Sequence, residues 1–118
     1  MKAQLSNYRQ APRKVEKVAR LIKGRSIISA RAELTHLPKR AAGPILKLLN
    51  SAVANSKEDA AKLFVKTISV DKGVVLKRSM PRAMGRAFPI HKHTSHVKLE
   101  LGVREEVAKK PKTKKVKV

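Results

Sequence analysis

Apolar positions along the first half of the chain repeat with a helical period. Val15, Val18, Ala19 and Ile22 fall at i, i+3, i+4 and i+7, one stripe of a helix. Pro12 suits its first turn, and Gly24 suits the position just past its end. Arg13, Lys14, Lys17 and Arg20 lie off the stripe. Ser26 can cap a second, shorter helix on which Ile27, Ala30, Leu34 and Leu37 share a side, with Pro38 ending it. A third helix carries Ile45, Leu48, Leu49, Ala52 and Val53 and fades near Asn55 to Asp59. Gly43-Pro44 at its start leave two options, a kinked first turn or a late start, because Pro44 has no N–H to donate.

The second half changes to a period of two. Phe64, Ile68 and Val70 are expected on one side of an extended run, with Lys66 as the exception. Asp71-Lys72-Gly73 signals a turn, and Val74 and Leu76 open a second strand. Val97, Leu99 and Leu101 alternate with His96, Lys98 and Glu100, the pattern of a half-buried strand. Between Leu76 and His96 the alternation is lost, over a stretch too long for an ordinary loop. Pro81 and Pro89 flank Met84-Gly85 almost symmetrically. A long hairpin leaving the body, reversing near Met84-Gly85, fits this pattern. About eight residues per side at ~3.3 Å each would reach roughly 25 Å. Such an arm has no core of its own and needs a partner.

A chain of 118 residues has room for one domain, here residues 1–103, with the arm at about 76–96. From residue 104 onward, with Lys109, Lys110, Lys112, Lys114, Lys115 and Lys117, a disordered basic tail is expected. Tyr8, Phe64 and Phe88 are the only aromatic residues, so the core must be built from Val, Ile, Leu and Ala. Lysine and arginine total 29 against 8 acids, a net charge of +21. That much self-repulsion destabilises a small compact state and points to a polyanionic partner.

Cysteine is absent, which removes disulfides, zinc fingers and thiol redox sites. No apolar run approaches the length of a membrane span, and the N-terminus lacks the apolar segment of a signal peptide. An intracellular protein without membrane contact is the expectation. Catalytic machinery is not found either. The only adjacent acids are Glu58-Asp59 and Glu105-Glu106, and no glycine-rich phosphate-binding motif occurs. Ser95 and His96 are neighbours on a strand and so point to opposite faces.

The arm carries the chemistry. No acid lies between Asp71 and Glu100, while Lys72, Lys77, Arg78, Arg82, Arg86, Lys92 and Lys98 do. Cations without acids suit a phosphate backbone, where each contact releases condensed counterions, and arginine adds bidentate donation. His91, His93 and His96 have no Cys, Asp or Glu nearby to complete a metal site, so neither metal nor cofactor is expected. A helix-turn-helix over residues 12–38 would offer only Arg31, Glu33, Thr35 and His36 to read bases. Strand aromatics for stacking on single-stranded RNA are missing. Recognition of a folded RNA by phosphate and shape remains. A DNA-compacting basic protein would share the charge but work as a dimer. A nuclease or RNA-modifying enzyme would need catalytic residues that the chain does not show.

The arm's residues resemble the signature of the bacterial-type large-subunit ribosomal protein twenty-two family: Lys77, then Arg82-Ala83, Gly85-Arg86, and His96-Val97 with Leu99 and Leu101. Ala11-Pro12-Arg13-Lys14 with Leu21 to Arg25 resembles the family's first helix, Leu46 to Asn55 its long helix, and Val65 to Gly73 its strand and turn. The resemblance runs from about Tyr8 to Gly102. It implies an α+β fold of three helices packed on a small antiparallel sheet, with a long protruding β-hairpin. It also implies a structural role, with a body on rRNA and a hairpin lining the nascent-peptide exit tunnel, where tip changes alter the response to macrolides. Its implied partners are large-subunit rRNA, neighbouring large-subunit proteins and the nascent peptide, without homo-oligomers, in a cytoplasmic or organellar ribosome. By residue, the implied rRNA contacts are Arg13, Lys14 and Lys17 on the first helix and Lys77, Arg78, Arg82, Arg86, Lys92, His93 and Thr94 on the arm. The implied tunnel tip is Met80, Pro81, Arg82, Ala83, Met84, Gly85, Arg86, Ala87 and Phe88. The family commonly has Ser or Thr where Ala11 stands, so the helix-capping hydrogen bond is lost here.

Overall fold

The computed structural model describes residues 1–104. In chain order the elements are β1 (Lys2–Tyr8), α1 (Pro12–Ile22), α2 (Ile27–His36), α3 (Ala42–Ala54), β2 (Leu63–Lys72), β3 (Leu76–Pro81), β4 (Ala87–Lys92) and β5 (Ser95–Val103). Single 3₁₀ turns lie at Ala60–Lys62 and Ala83–Gly85. The fold is the α+β class expected, three helices against a small antiparallel sheet with a hairpin standing apart.

The helices follow the sequence pattern. Val15, Val18, Ala19 and Ile22 are the buried residues of α1, and Pro12 occupies its first turn. Ala11 precedes it in extended geometry and makes no side-chain cap. Gly24 N–H donates to the Val65 carbonyl and Val65 N–H to the Arg25 carbonyl, both at 2.9 Å, which stitches the α1–α2 connection to β2. Ser26 caps α2 by accepting from Ser29 N–H, and Ile27, Ala30 and Leu34 turn inward. The third helix differs from both options left open, since it starts at Ala42 and takes Pro44 into its first turn. The first N–H groups of a helix have no intrahelical acceptor, so Pro44 sacrifices no hydrogen bond there. Ile45, the next residue, donates normally to Ala41 at 3.1 Å.

The three-stranded sheet has the order β1-β5-β2, with both pairings antiparallel. Val97, Leu99 and Leu101 of β5 point into the core, as their alternation required. Two features depart from the expectation. β1 was not anticipated, although Ala3 and Leu5 are half-buried between exposed Lys2, Gln4 and Ser6. In β2, Phe64 does not share a side with Ile68, because Leu63, Val65 and Ile68 are the buried residues. A register shift between Val65 and Thr67 sets an extra residue against β5. Such a bulge reverses the parity of inward positions, which places Phe64 on the outer face. There the Arg104 guanidinium lies 5.9 Å from the Phe64 ring centroid, and Arg104 N–H donates to the Lys62 carbonyl at 2.8 Å. Arg104 is thus tied to the body, one residue past the expected tail boundary. The rest of the expected tail, 105–118, lies outside the described residues.

On the outer face, Lys2 pairs with Glu100 at 2.8 Å and Lys98 with Asp71 at 3.4 Å. The Lys2 ammonium, by hydrogen bond and then by charge, holds the Glu100 carboxyl below its ordinary range. A lowered carboxyl contributes stability above its unfolded value and loses it as pH falls through the folded one. Both groups are exposed, so salt screens the pair and the effect is small.

The core and the arm should separate in a stability measurement. Leu99→Ala, at the centre of the sheet, should cost about 2–5 kcal/mol in urea unfolding. Replacing residues 78–91 by a short Gly-Ser linker should change the same quantity by less than about 0.5 kcal/mol, because nothing in the arm contributes to the core.

Candidate nucleic-acid interface

β3 and β4 pair with each other, from Leu76 opposite Lys92 to Pro81 opposite Ala87, and form a sheet of their own. Directly opposed residues share a face. One face therefore carries Leu76, Arg78 and Met80 with Phe88, Ile90 and Lys92, and the other carries Lys77, Ser79 and Pro81 with Ala87, Pro89 and His91. Pro81 and Pro89 are tolerated because both strands are edges, and they discourage any further strand from pairing. Lys77, Arg78, Arg82, Arg86 and Lys92 are all exposed, with no carboxylate on the arm.

The chain reverses where the sequence placed the reversal. Met84 and Gly85 both adopt left-handed backbone, φ 62° and 69°, and Arg82 N–H donates to the Arg86 carbonyl at 2.8 Å. Glycine takes that geometry freely, whereas it costs Met84 about 1 kcal/mol or more. The Met84 side chain is 97% exposed, and Met80 and Phe88 are exposed beside it. The Arg82 guanidinium lies 5.9 Å from the Phe88 ring centroid, within cation–π range.

At the root of the arm the backbone is fastened twice. Gly73 N–H donates to the Thr94 carbonyl at 2.8 Å, and the Thr94 hydroxyl donates to the Val74 carbonyl at 2.6 Å. A Cβ on Gly73 would stand 2.4 Å from the Thr94 hydroxyl oxygen, so only glycine lets the two chains approach this closely. Thr94, expected as an RNA contact of the stem, is instead 4% exposed with its hydroxyl engaged. Its position is that of a fastener.

Beside the root lies a groove of about 690 Å³ lined by Arg9, Gln10, Ala11, Lys14, Arg40, His91, Lys92 and His93. It unites Lys14 of the expected first-helix set with Lys92 and His93 of the expected stem set. Arg13 and Lys17 are exposed on α1 outside this lining, and Lys77, Arg78, Arg82 and Arg86 continue along the arm. Among the described residues, no acid lines the groove. Sequence reasoning missed Arg9, Arg40 and the partnership of His91. Arg9 follows the unanticipated β1, and Arg40 lies between α2 and α3. Neither loop shows a periodicity, and the one available signal was a basic residue at each junction.

Three of the four base readers of the helix-turn-helix alternative are engaged within the body, and His36 is the exposed fourth. Arg31 donates to the Asn50 side chain at 2.9 Å, Glu33 pairs with Arg25, and the Thr35 hydroxyl donates to the Arg31 carbonyl at 2.7 Å. Among the described residues, no three of His, Asp and Glu converge as metal ligands, and no helix is long and apolar enough to cross a membrane.

Residues 3–102 match the model of a family described as ribosomal protein L22p/L17e. The chain belongs to that family. The match begins inside β1, so the segment of the strand that the sequence reading passed over lies within the matched residues. Similar proteins include the large ribosomal subunit protein uL22 of Anaeromyxobacter sp., 50% identical over 105 residues, covering 85% of this chain and 72% of that one. The protein of the same name from Mesoplasma florum is 54% identical over 100 residues, covering 81% and 89%. That of Trichlorobacter lovleyi is 52% identical over 103 residues, covering 84% and 91%. The family is one of structural ribosomal proteins and not of enzymes.

The fastening at the root can be tested directly. Thr94→Val should leave the Val74 carbonyl without its partner, at about 1–3 kcal/mol locally. Amide exchange at Gly73 should accelerate while β5 amides near Leu99 keep their protection. Unchanged exchange at Gly73 would remove Thr94 from this role.

Proposed function

We propose that this chain is a structural rRNA-binding protein of the large ribosomal subunit. Its body holds rRNA and supports subunit assembly, and its arm extends along RNA to the wall of the nascent-peptide exit tunnel. The observation that carries the reading is the acid-free basic groove, in which α1, the loop before α3 and the root of the arm converge, continued by exposed cations along β3 and β4. Family membership and the large-subunit proteins among its relatives support the same reading.

The assigned rRNA contacts are Arg13, Lys14 and Lys17 on α1 and Lys77, Arg78, Arg82, Arg86, Lys92 and His93 on the arm, to which Arg9, Arg40 and His91 are added. Thr94 orients the arm. Met80 to Phe88 form the tunnel tip, whose exposed apolar side chains suit contact with the nascent peptide and with unpaired base faces. Neighbouring large-subunit proteins complete the partners, in the cytoplasmic ribosome.

Two measurements test this. Affinity for large-subunit rRNA should fall steeply with salt, with a log–log slope of about −0.7 to −0.9 per phosphate neutralised. Near-constant affinity between low and physiological salt would refute a phosphate-driven interaction. In cells, deleting Met80 to Ala87 should leave the protein in large subunits on sucrose gradients while changing macrolide sensitivity. Replacing Val15, Val18 and Ile22 with Asp should abolish incorporation. The reverse outcome, with the tip deletion excluded and the core variant incorporated, would overturn the division of labour.

A further inference from the structure

We infer that phosphate binding in the groove at the arm's root is coupled to proton uptake by His91 and His93. The inference rests on the RNA-binding reading above and adds a regulation to it. The two imidazoles stand two residues apart, with ring centroids 6.4 Å apart and planes tilted by 37°. Both line the groove. The charged groups around them come from every element at the site: Arg9 from the β1–α1 loop, Lys14 from α1, Arg40 from the α2–α3 loop, and Lys92 between the two histidines. Lys77 lies directly across the hairpin from His91. Gln10 is the neutral polar side chain in the lining, and among the described residues no carboxylate lines it.

Without phosphate, a proton on either ring adds positive charge beside Arg9, Lys14, Arg40, Lys92 and Lys77. A phosphate reverses that balance by bringing negative charge and oxygen acceptors. A neutral imidazole donates through one nitrogen, an imidazolium through both. Proton and phosphate therefore favour each other, and the coupling is reciprocal. Lysine and arginine keep their charge and supply a constant grip, and the imidazoles add the part that depends on the proton.

The other two histidines are placed differently. His96 Nδ1 accepts from Asn7 N–H at 3.1 Å in the body. His36 ends α2 beside Leu37 and Pro38, away from the groove.

The test uses the full chain and a protein-free large-subunit rRNA transcript at fixed ionic strength. From pH 8 to pH 6 the affinity should tighten, by at most about tenfold per pH unit for each linked proton. Calorimetry in two buffers of different ionisation heat should count the same protons. The double variant His91→Gln, His93→Gln should bind with little dependence on pH and with the salt slope retained, while His36→Gln should behave as wild type. Lys14→Gln and Arg40→Gln should each lower the salt slope by about 0.7–0.9. Flat wild-type affinity between pH 8 and 6, a pH dependence that survives the double variant, or unchanged salt slopes in the groove variants would each overturn the inference. Failure of the wild type to bind the transcript at any pH would overturn the RNA-binding reading itself, and this with it.

Discussion

Among the described strands, β5 alone pairs along both edges, and the other elements take their positions from it. Its inward residues Val97, Leu99 and Leu101 form the floor on which the helices pack. Its first residue, Ser95, is paired with Tyr8 of β1 and with Lys72 of β2, so the last strand of the arm leads straight into the centre of the sheet. The direction of the arm is therefore set by the same backbone ladder that closes the core. Gly73 and Thr94 make that transition tight enough to transmit the direction, since the residues beyond have no packing of their own.

Charge is segregated along the same boundary. Glu16 pairs with Arg20, Glu33 with Arg25, Asp71 with Lys98 and Glu100 with Lys2. Each of these pairs lies on the body, and none reaches the arm or the groove. Exposed pairs of this kind add little stability. Their larger consequence is to reduce repulsion where the chain must be compact, and to leave it unrelieved where a polyanion would relieve it. Nothing in the core compensates for the cations at the root, so the conformation that concentrates them gains most when phosphate is present.

The helices were legible because their apolar stripes are complete and Ser26, Pro38 and Gly24 punctuate them. β5 was legible because its alternation is strict. β1 escaped because Ala3 and Leu5 are a short signal and a bulge between Leu5 and Tyr8 interrupts their pattern. Phe64 was assigned to the wrong face because parity cannot be carried across a bulge that sequence does not mark. For Pro44 the sequence leaves a kinked first turn or a late start, and neither is needed where it sits within the first turn of a helix that starts at Ala42. At the candidate interface, the cations along the arm were legible as an acid-free run. The groove was not, because Arg9, Lys14, Arg40 and His91 are separated in sequence and meet only through the tertiary fold. Thr94 illustrates the converse. The resemblance implied it as an rRNA contact, and in the structure its hydroxyl donates to the Val74 carbonyl.

An isolated two-stranded hairpin is marginally stable in water, and this one carries Lys77, Arg78 and Lys92 along the shaft and exposed Met80, Met84 and Phe88, with Arg82 and Arg86, at the far end. The order along the arm matters physically. Phosphates can neutralise Lys77, Arg78 and Lys92 and so stabilise the extended shaft, but they offer nothing to Met80, Met84 and Phe88. Those side chains gain only from a surface that is not itself a phosphate backbone, such as base faces or peptide. The Arg82 guanidinium over the Phe88 ring marks the changeover between the two regimes. On a phosphate backbone, the cations of the shaft would engage nearer the root, and the tip's apolar side chains would need a different surface at the position to which the shaft carries them.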